Sequence, residues 1–266
     1  MKLINRKEPY DWGYTAITTE GEAVQDTLMD FGILRLQKGK SQRLVTEKEV
    51  AYLLMDGAVR FTYGDQVARA QRSSIFHESS PCLHVPPGTS VEIVAESDLE
   101  LAITATTNEK QFAPVFYSAE DVRSEQRGQG TMQETSTRIV RTIFDKTNAP
   151  DANLVLGEVI NHPGKWSSYP PHHHIQPEIY HYRFLPNQGF GVCVLDDDEV
   201  LKVTHQSTVK IVEDEVHPQS TAPGYAMYYL WVIRHLDDNP YIEPTFVPEH
   251  SWVREPDAQI FPDRRK

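Results

Sequence analysis

Residues 170–184 read PPHHHIQPEIYHYRF, a histidine-rich segment that leads into β-branched and aromatic residues. Successive side chains of an extended strand alternate between two faces, so His172 and His174 are expected on the same face. Pro177 cannot donate to a sheet ladder, and the short connection around it can turn the chain into a second strand, with Glu178 facing back towards the two imidazoles. Two neutral nitrogens and one carboxylate at one point are suited to a divalent metal such as zinc, manganese, iron or nickel.

A metal site of this kind needs a further ligand, and His217 is the candidate. It belongs to the sequence EVHP at residues 215–218, in a later strand-like run, at a separation at which a β-barrel brings its strands back together. The alternative interpretation is that the three consecutive histidines form a solvated loop, because single histidines are more often structural than ligating. The carboxylate four residues beyond His174, the strand-like flanks and the downstream histidine favour the metal site.

The composition narrows the class of protein. The 266 residues include 26 Lys and Arg against 38 Asp and Glu, which gives a formal net charge of −12. Nucleic acids and anionic membranes are bound through basic patches, so neither is expected as a partner. Cys82 and Cys193 lie far apart in apolar contexts, which indicates buried reduced thiols and a cytoplasmic location. The charged N-terminus predicts no signal peptide, and no run approaches the ~18 apolar residues of a membrane span.

The secondary structure is predicted as short strands between glycine and proline turns, the pattern of an all-β sandwich or barrel. One strand is expected over residues 50–55, a hairpin turn at Asp56-Gly57, and a second strand over 59–63. A helical turn is expected only at residues 119–127.

The strand pattern occurs twice along the chain, and this predicts two β-barrel halves of similar size. The expected divisions are an N-terminal barrel without metal ligands over residues 1–117, a polar junction over 118–137 and a metal-binding barrel over 138–238. The proline-rich remainder, residues 239–266, is expected to form an extended tail that wraps a barrel or a neighbouring subunit.

The segments around the histidines resemble a known family. A His-x-His pair, a glutamate and a distal histidine within a β-barrel half are similar to the cupin metal signature, and the wider sequence resembles the bacterial 5-deoxy-glucuronate isomerases of myo-inositol catabolism. The resemblance is specific over about residues 136–253 and looser before them. The segments that carry it are GEV at 157–159, PGKWSSYPPHHH at 163–174, EIYHYRF at 178–184, HP at 217–218, APGYAMYYL at 222–230 and PEHSWV at 248–253.

The resemblance implies a bicupin, two barrel halves of the double-stranded β-helix or jelly-roll type, and a fold shared with the 5-keto-4-deoxyuronate isomerases. It implies an aldose–ketose isomerase that converts 5-deoxy-glucuronate to 5-dehydro-2-deoxy-gluconate. The implied ligands of a divalent metal are His172, His174, Glu178 and His217. The metal would act as a Lewis acid that acidifies the C–H beside the carbonyl, and a base would then move a proton between C1 and C2.

Two candidates remain for that base, Glu158 and metal-bound hydroxide, and the alternative role of Glu158 is that of an ordinary strand carboxylate. Alternation places Tyr180 and Tyr182 on the same face as Glu178, so both are expected to line the pocket as hydrogen-bond donors.

The substrate carboxylate needs a cation, for which Lys165, Arg183 and Arg234 are the candidates. Strict alternation turns Arg183 to the outer face, where a salt bridge is its alternative role. Trp166, beside the ligand strand, is expected either to stack on the sugar or to be a core residue.

Other functions are compatible with the same ligands: another sugar-acid isomerase, a cupin dioxygenase, or a non-catalytic sugar-binding cupin. Iron dependence with oxygen consumption would indicate the dioxygenase, and an attached DNA-binding domain, of which the sequence shows none, would indicate a sensor. The connection between His174 and Glu178 is shorter than the family resemblance leads one to expect. Cupin barrels often pair edge to edge, so a homo-oligomer that binds a small-molecule sugar acid is expected.

Overall fold

The computed structural model describes residues 1–45, 47–196 and 199–262, and nearly all of its regular structure is β. The earlier strands are β1 (Leu3–Ile4), β2 (Gly13–Thr18), β3 (Asp30–Leu36), β4 (Ser41–Val45), β5 (Glu49–Tyr63), β6 (Gln66–Arg72), β7 (Cys82–Val85), β8 (Ser90–Ala95), β9 (Leu99–Thr106) and β10 (Val115–Tyr117). The later ones are β11 (Arg123–Arg127), β12 (Arg138–Phe144), β13 (Leu154–Asn161), β14 (Trp166–Ser167), β15 (His172–His173), β16 (Glu178–Leu185), β17 (Phe190–Leu195), β18 (Glu199–Thr204), β19 (Thr208–Ile211), β20 (Gln219–Thr221), β21 (Ala226–Arg234) and β22 (Thr245–Phe246).

Two short 3₁₀ segments, Met132–Glu134 and Pro248–Arg254, complete the regular structure of the described ranges. No helix in this part of the chain is long and apolar enough to cross a membrane. The prediction of an all-β fold is confirmed.

Two large antiparallel sheets form the body of the protein. Strands β2 to β10 make a nine-stranded sheet with the central order β10-β7-β5-β9-β3-β2. Strand β1 joins six later strands in a seven-stranded sheet with the order β1-β19-β16-β21-β13-β12-β11. A four-stranded sheet, β14-β20-β17-β18, packs against the face of the seven-stranded sheet that carries Tyr180 and Tyr182, and β15 and β22 form a separate two-stranded pair. In the described parts of the chain, no sheet closes into a barrel.

The seven-stranded sheet is buried on both faces, so a side chain reaches a cavity only if it lies on the face that borders that cavity. One apolar cluster lies between the two large sheets and joins side chains such as Phe31 and Leu53 to Leu156 and Leu230. Another fills the opposite face and includes Tyr180. All eight residues of β13 are buried for this reason. Both cysteines are free and buried, as predicted.

Backbone pairing crosses the predicted divisions of the chain at three places. Strand β1, at the N-terminus, pairs with β19 of the seven-stranded sheet. Strand β11, in the predicted junction, pairs with β12, and β22, in the predicted tail, pairs with β15. The expectation of a helical turn at 119–127 is therefore wrong over Arg123–Arg127, because the open edge of β12 offers backbone partners that favour an extended strand over local helix formation.

The hairpin expected at Asp56-Gly57 is also wrong. Strand β5 continues without reversal from Glu49 to Tyr63, and its register to β9 shifts between Leu54 and Asp56, which marks a β-bulge. Gly57 has φ +94°, and a Cβ there would lie 2.2 Å from the carbonyl oxygen of Asp98. The glycine therefore lets β5 bend from one set of partners to the next.

Replacing Gly57 with alanine is expected to cost about 2–4 kcal/mol of unfolding free energy, because the side chain adds backbone strain to a close contact with another backbone segment. Gly88→Ala is the control, since Gly88 has φ +81° with open space around it. Its expected cost is about 1 kcal/mol. Urea unfolding of both variants measures the difference, and equal losses would show that the contact with Asp98 plays no part.

Candidate functional site

Three ionisable side chains converge on the face of the seven-stranded sheet opposite the large interface. Glu178 begins β16, while His174 and His217 lie in the connections before β16 and before β20. Their ligand atoms lie within 4.8 Å of one another and all three residues are buried. Glu178 Oε2 is 3.3 Å from His174 Nε2 and 3.5 Å from His217 Nε2.

Backbone carbonyls orient the histidine rings. Because a carbonyl only accepts hydrogen bonds, each contacting Nδ1 carries the proton and leaves the Nε2 lone pair available as a ligand. The three contacts are His172 Nδ1 to Pro170 O at 3.0 Å, His174 Nδ1 to Gln176 O at 2.9 Å and His217 Nδ1 to Glu215 O at 2.7 Å.

Two buried atoms of the cluster lack a hydrogen-bond partner among the described residues: Glu178 Oε2 and His217 Nε2. Buried polar atoms are nearly always satisfied, so two unsatisfied acceptors that face each other fit a cation held between them. Burial lowers the pKa of His217, and it lowers that of His172 well below the usual value, which keeps both imidazoles neutral. The donor set fits a divalent metal ion.

His172 lies beside the cluster but is not one of the three residues, His174, Glu178 and His217, whose ligand atoms lie within 4.8 Å of one another. Its ring centroid lies 5.0 Å from that of His217, with the rings nearly perpendicular. The intervening His173 has a different partner, Asp214 Oδ1, at 2.7 Å from its Nδ1.

A cavity of about 310 Å³ opens beside these side chains. Tyr180 and Tyr229 form part of its wall, with ring centroids 4.8 Å apart. Tyr180 Oη lies 3.3 Å from Ser168 Oγ, and Tyr229 Oη lies 2.5 Å from Ser167 Oγ. Residues 241–244 of the C-terminal segment line the cavity as well, which places part of the predicted tail against this site.

Of the two tyrosines predicted to line the pocket, the structure places only Tyr180 in the cavity wall. Tyr182 is fully buried, and its hydroxyl donates to Gln219 Oε1 at 2.6 Å. It shares the face of Tyr180, as alternation predicts, but lies deeper in the apolar cluster.

Glu158 does not reach the cavity, which corrects its assignment as a candidate base. Its carboxylate faces the large interface and accepts both Nη1 and Nη2 of Arg72, at 2.7 and 2.8 Å. Tyr228 Oη donates to it at 2.7 Å, and Arg141 Nη1 at 3.3 Å. Burial alone would raise the pKa of Glu158, but the charge and hydrogen bonds of Arg72 outweigh burial and lower it. Glu158 is an ionised partner in a buried ion pair between the two sheets.

The residues predicted to bind the substrate also lie away from the cavity lining. Arg183 faces the large interface, where its Nη2 donates to Glu100 Oε1 at 2.5 Å. Lys165 donates through Nζ to the carbonyl of Glu134. Trp166 packs against Tyr169, with ring centroids 5.8 Å apart. Arg234 donates to carbonyl and hydroxyl oxygens, such as Thr106 Oγ1 at 3.3 Å.

Most of the cavity lining was not predicted, including Tyr229, Trp231 and Arg138. Trp231 lines the cavity and crosses Gly157, where a Cβ would lie 2.2 Å from the indole. Arg138 lines it from β12 and is 8% exposed. Gly157, a glycine inside the buried strand β13, could have indicated that a neighbouring group packs closely against this position. Alternation along β12 could have placed Arg138, Val140 and Thr142 on one face, but no local pattern shows that this face borders a cavity.

The nearly all-β fold is similar to that of solved cupin structures. A cupin 2 conserved barrel domain protein from Leptotrichia buccalis superposes with a TM-score of 0.52 at 13% identity, over 88% of this chain and 96% of that one. An IolB-like protein from Salmonella typhimurium LT2 gives a TM-score of 0.84 at 27% identity, over 95% and 99%.

The chain belongs to the KduI/IolB family, whose sequence model matches residues 4–253. A protein of Geobacillus thermodenitrificans named 5-deoxy-glucuronate isomerase is 30% identical over 95% of this chain and 96% of its own length. A protein of the same name from Bacillus subtilis (strain 168) is 29% identical over 86% and 89%. The resemblance predicted from the sequence is confirmed.

Proposed function

We propose that this protein is a metal-dependent aldose–ketose isomerase that converts 5-deoxy-glucuronate to 5-dehydro-2-deoxy-gluconate in inositol catabolism. The observation that carries the proposal is the pair of unsatisfied acceptors, Glu178 Oε2 and His217 Nε2, beside a cavity in a chain of the KduI/IolB family. The names of its curated relatives support the reaction.

In this proposal His172, His174, Glu178 and His217 hold one divalent metal, which is zinc, manganese, iron or nickel. When bound, such an ion supplies Lewis-acid polarisation of a carbonyl oxygen. The three contacts from Nδ1 to backbone carbonyls hold the rings for this task before the substrate arrives.

The cavity tyrosines act as hydrogen-bond donors to the oxygens of the open-chain sugar. Burial raises the pKa of Tyr180 well above its usual value and that of Tyr229 to about 12. Both hydroxyls therefore keep their protons at neutral pH, and they are placed to stabilise negative charge that develops on a substrate oxygen. Trp231 offers a flat apolar face to the sugar chain.

We also propose the bicupin organisation, with barrel halves over residues 1–117 and 138–238, a junction over 118–137 and a tail over 239–266. The two large sheets, each with an apolar cluster of its own, support it, although β1, β11 and β22 pair across the proposed boundaries. The proposed assembly is a homo-oligomer, which light scattering of the purified protein tests.

The reaction is tested by loading the purified protein with each candidate metal, adding 5-deoxy-glucuronate and following the ketose by NMR. Turnover that a chelator abolishes and the metal restores is the expected result. Oxygen consumption would indicate a dioxygenase instead, and a bound metal without turnover of this sugar acid would contradict the proposed substrate.

Tyr180→Phe is expected to lower kcat about 100-fold with unchanged metal content, because it removes a donor from the cavity wall. Tyr182→Phe is the matched control, since its hydroxyl bonds Gln219 outside the cavity lining. We expect it to change kcat by less than about threefold and to cost about 1 kcal/mol of stability. Steady-state kinetics with metal analysis separates the two. Equal kcat values in the two variants would remove Tyr180 from the site.

A further inference from the structure

We propose that Arg138 binds the carboxylate of the sugar-acid substrate. This inference rests on the proposed function and adds the group that distinguishes an acidic sugar from a neutral one. Arg138 lines the same cavity as His172, His174 and Glu178, but it extends from β12, which is separated from β16 by two strands, β21 and β13, in the seven-stranded sheet.

Among the described residues, Arg138 is a buried cation without an anionic partner. It is 8% exposed, and its one side-chain hydrogen bond to them runs from Nη1 to the carbonyl of Ser136, two residues away, at 2.8 Å. No carboxylate of the described residues lies within ion-pair distance of it. Burial and the nearby charge of Arg127 lower the pKa of Arg138. A desolvated guanidinium is costly unless an anion compensates it, so the missing partner is expected to be a ligand.

The other cations of the cavity lining are already engaged. Lys146 donates to the carbonyls of Pro150 and Ala152, at 2.9 and 2.6 Å. Arg127 pairs with Glu125 Oε2 at 2.9 Å and is largely exposed. Among the described residues of this lining, Arg138 is thus the one cation that is buried and has no carboxylate partner, since Lys146 is only half-buried and Arg127 is exposed.

The strand register concentrates positive charge at this end of the cavity. Arg127 and Arg138 are directly opposite partners across β11 and β12, and like charges in such a pair are unfavourable. The chain as a whole has a net charge of −12, yet two arginines lie side by side at this end of the cavity. An anionic group between them and the cavity would relieve the repulsion, and guanidinium matches the planar geometry of a carboxylate.

The test compares two substrates that differ only in this group. Metal-loaded wild type and Arg138→Gln are assayed with 5-deoxy-glucuronate and with 5-deoxy-glucose, which has a hydroxymethyl group in place of the carboxylate. We expect kcat/KM for the acid to fall about 100-fold in the variant, while that for the neutral sugar changes by less than about threefold. Arg138→Lys is expected to fall about 10-fold with the acid, because ammonium keeps the charge and loses the bidentate geometry. Loss of both activities in parallel would overturn the proposal.

Arg69→Gln is the control for charge removal, since Arg69 is exposed and pairs with Glu96 on the nine-stranded sheet. It should leave both substrates unaffected. Metal content should be unchanged in all variants. The melting temperature of Arg138→Gln should be unchanged or higher than that of wild type, because the variant loses a desolvated charge. A lower melting temperature with an unchanged preference for the acid would make Arg138 a structural residue.

Calorimetric titration with the two sugars tests the role of Arg138 even if the proposed isomerase activity is wrong, because it measures binding rather than turnover. If wild type does not isomerise 5-deoxy-glucuronate, the isomerase assignment fails, and binding of the two sugars to the metal-loaded protein decides the role of Arg138. Tighter binding of the acid that weakens about 100-fold in Arg138→Gln supports it. Equal binding of the acid by wild type and variant overturns it.

Discussion

Glu178→Gln is expected to abolish metal binding and isomerase activity together. The amide keeps the volume of the side chain but removes the negative charge that sits 3.3 and 3.5 Å from two histidine Nε2 atoms. Metal content should fall below about a tenth of the wild-type value, and kcat/KM should fall by about 10³-fold or more, as expected when a side chain that coordinates the metal is lost. His217→Ala should behave in the same way. Elemental analysis and the NMR assay on the same preparations measure both losses.

Thermal unfolding gives a readout that does not depend on turnover. A bound metal stabilises the folded state by mass action, so a chelator should lower the melting temperature of wild type and leave that of Glu178→Gln unchanged. His173→Ala is the matched control, because His173 lies between two proposed ligands and contacts Asp214 instead. It should keep its metal. Full metal content in Glu178→Gln or His217→Ala would show that the ligand assignment is wrong.

Glu158→Gln is expected to cause a large loss of stability, about 3–5 kcal/mol, because it leaves the buried guanidinium of Arg72 without its anion. Both side chains of this pair are fully buried between the two large sheets. Urea unfolding measures the loss. The activity of the folded fraction should be close to that of wild type, since Glu158 lies on the face away from the cavity.

The pH dependence of the same variant supplies a second check. The pKa of Glu158 is lowered in the folded state, so its contribution is present above the ordinary value of 4.5 and is lost as the pH falls below it. The stability difference between wild type and Glu158→Gln should therefore shrink in acid. Glu96→Gln, which breaks the exposed pair with Arg69, is the control and should cost about 1 kcal/mol or less. A stable Glu158→Gln protein with greatly reduced turnover would restore Glu158 as a candidate base.

The features that the sequence alone determined are local. Period-two alternation and turn residues predicted an all-β chain, because strand geometry depends on neighbouring residues. The candidate cluster was equally accessible, since His172, His174 and Glu178 lie within seven consecutive residues whose spacing is characteristic. Family-like segments around them were specific enough to predict the family. These predictions did not depend on which segments of the chain pack against one another.

The failures concern which neighbour covers each strand face. Glu158 and Arg183 lie on strands of the seven-stranded sheet, and both were considered for the site. The structure pairs them instead with Arg72 and Glu100, each more than 80 residues away in the chain. Alternation separates the two faces of a strand, but it cannot tell a cavity from an interface when both faces are buried.

The same limit explains what was missed. No local sequence feature of Arg138 indicates a function. Its proposed role rests on the cavity beside it and on the absence of a carboxylate partner among the described residues. At Gly57, Asp-Gly was interpreted as a hairpin turn, but the approach of Asp98 makes it a bulge within one long strand. The sequence by itself therefore determined the strands, the candidate ligands and the family. Only the tertiary structure decided which charges meet across the sheets and which one is left facing the cavity, because those pairings form between segments far apart in the chain.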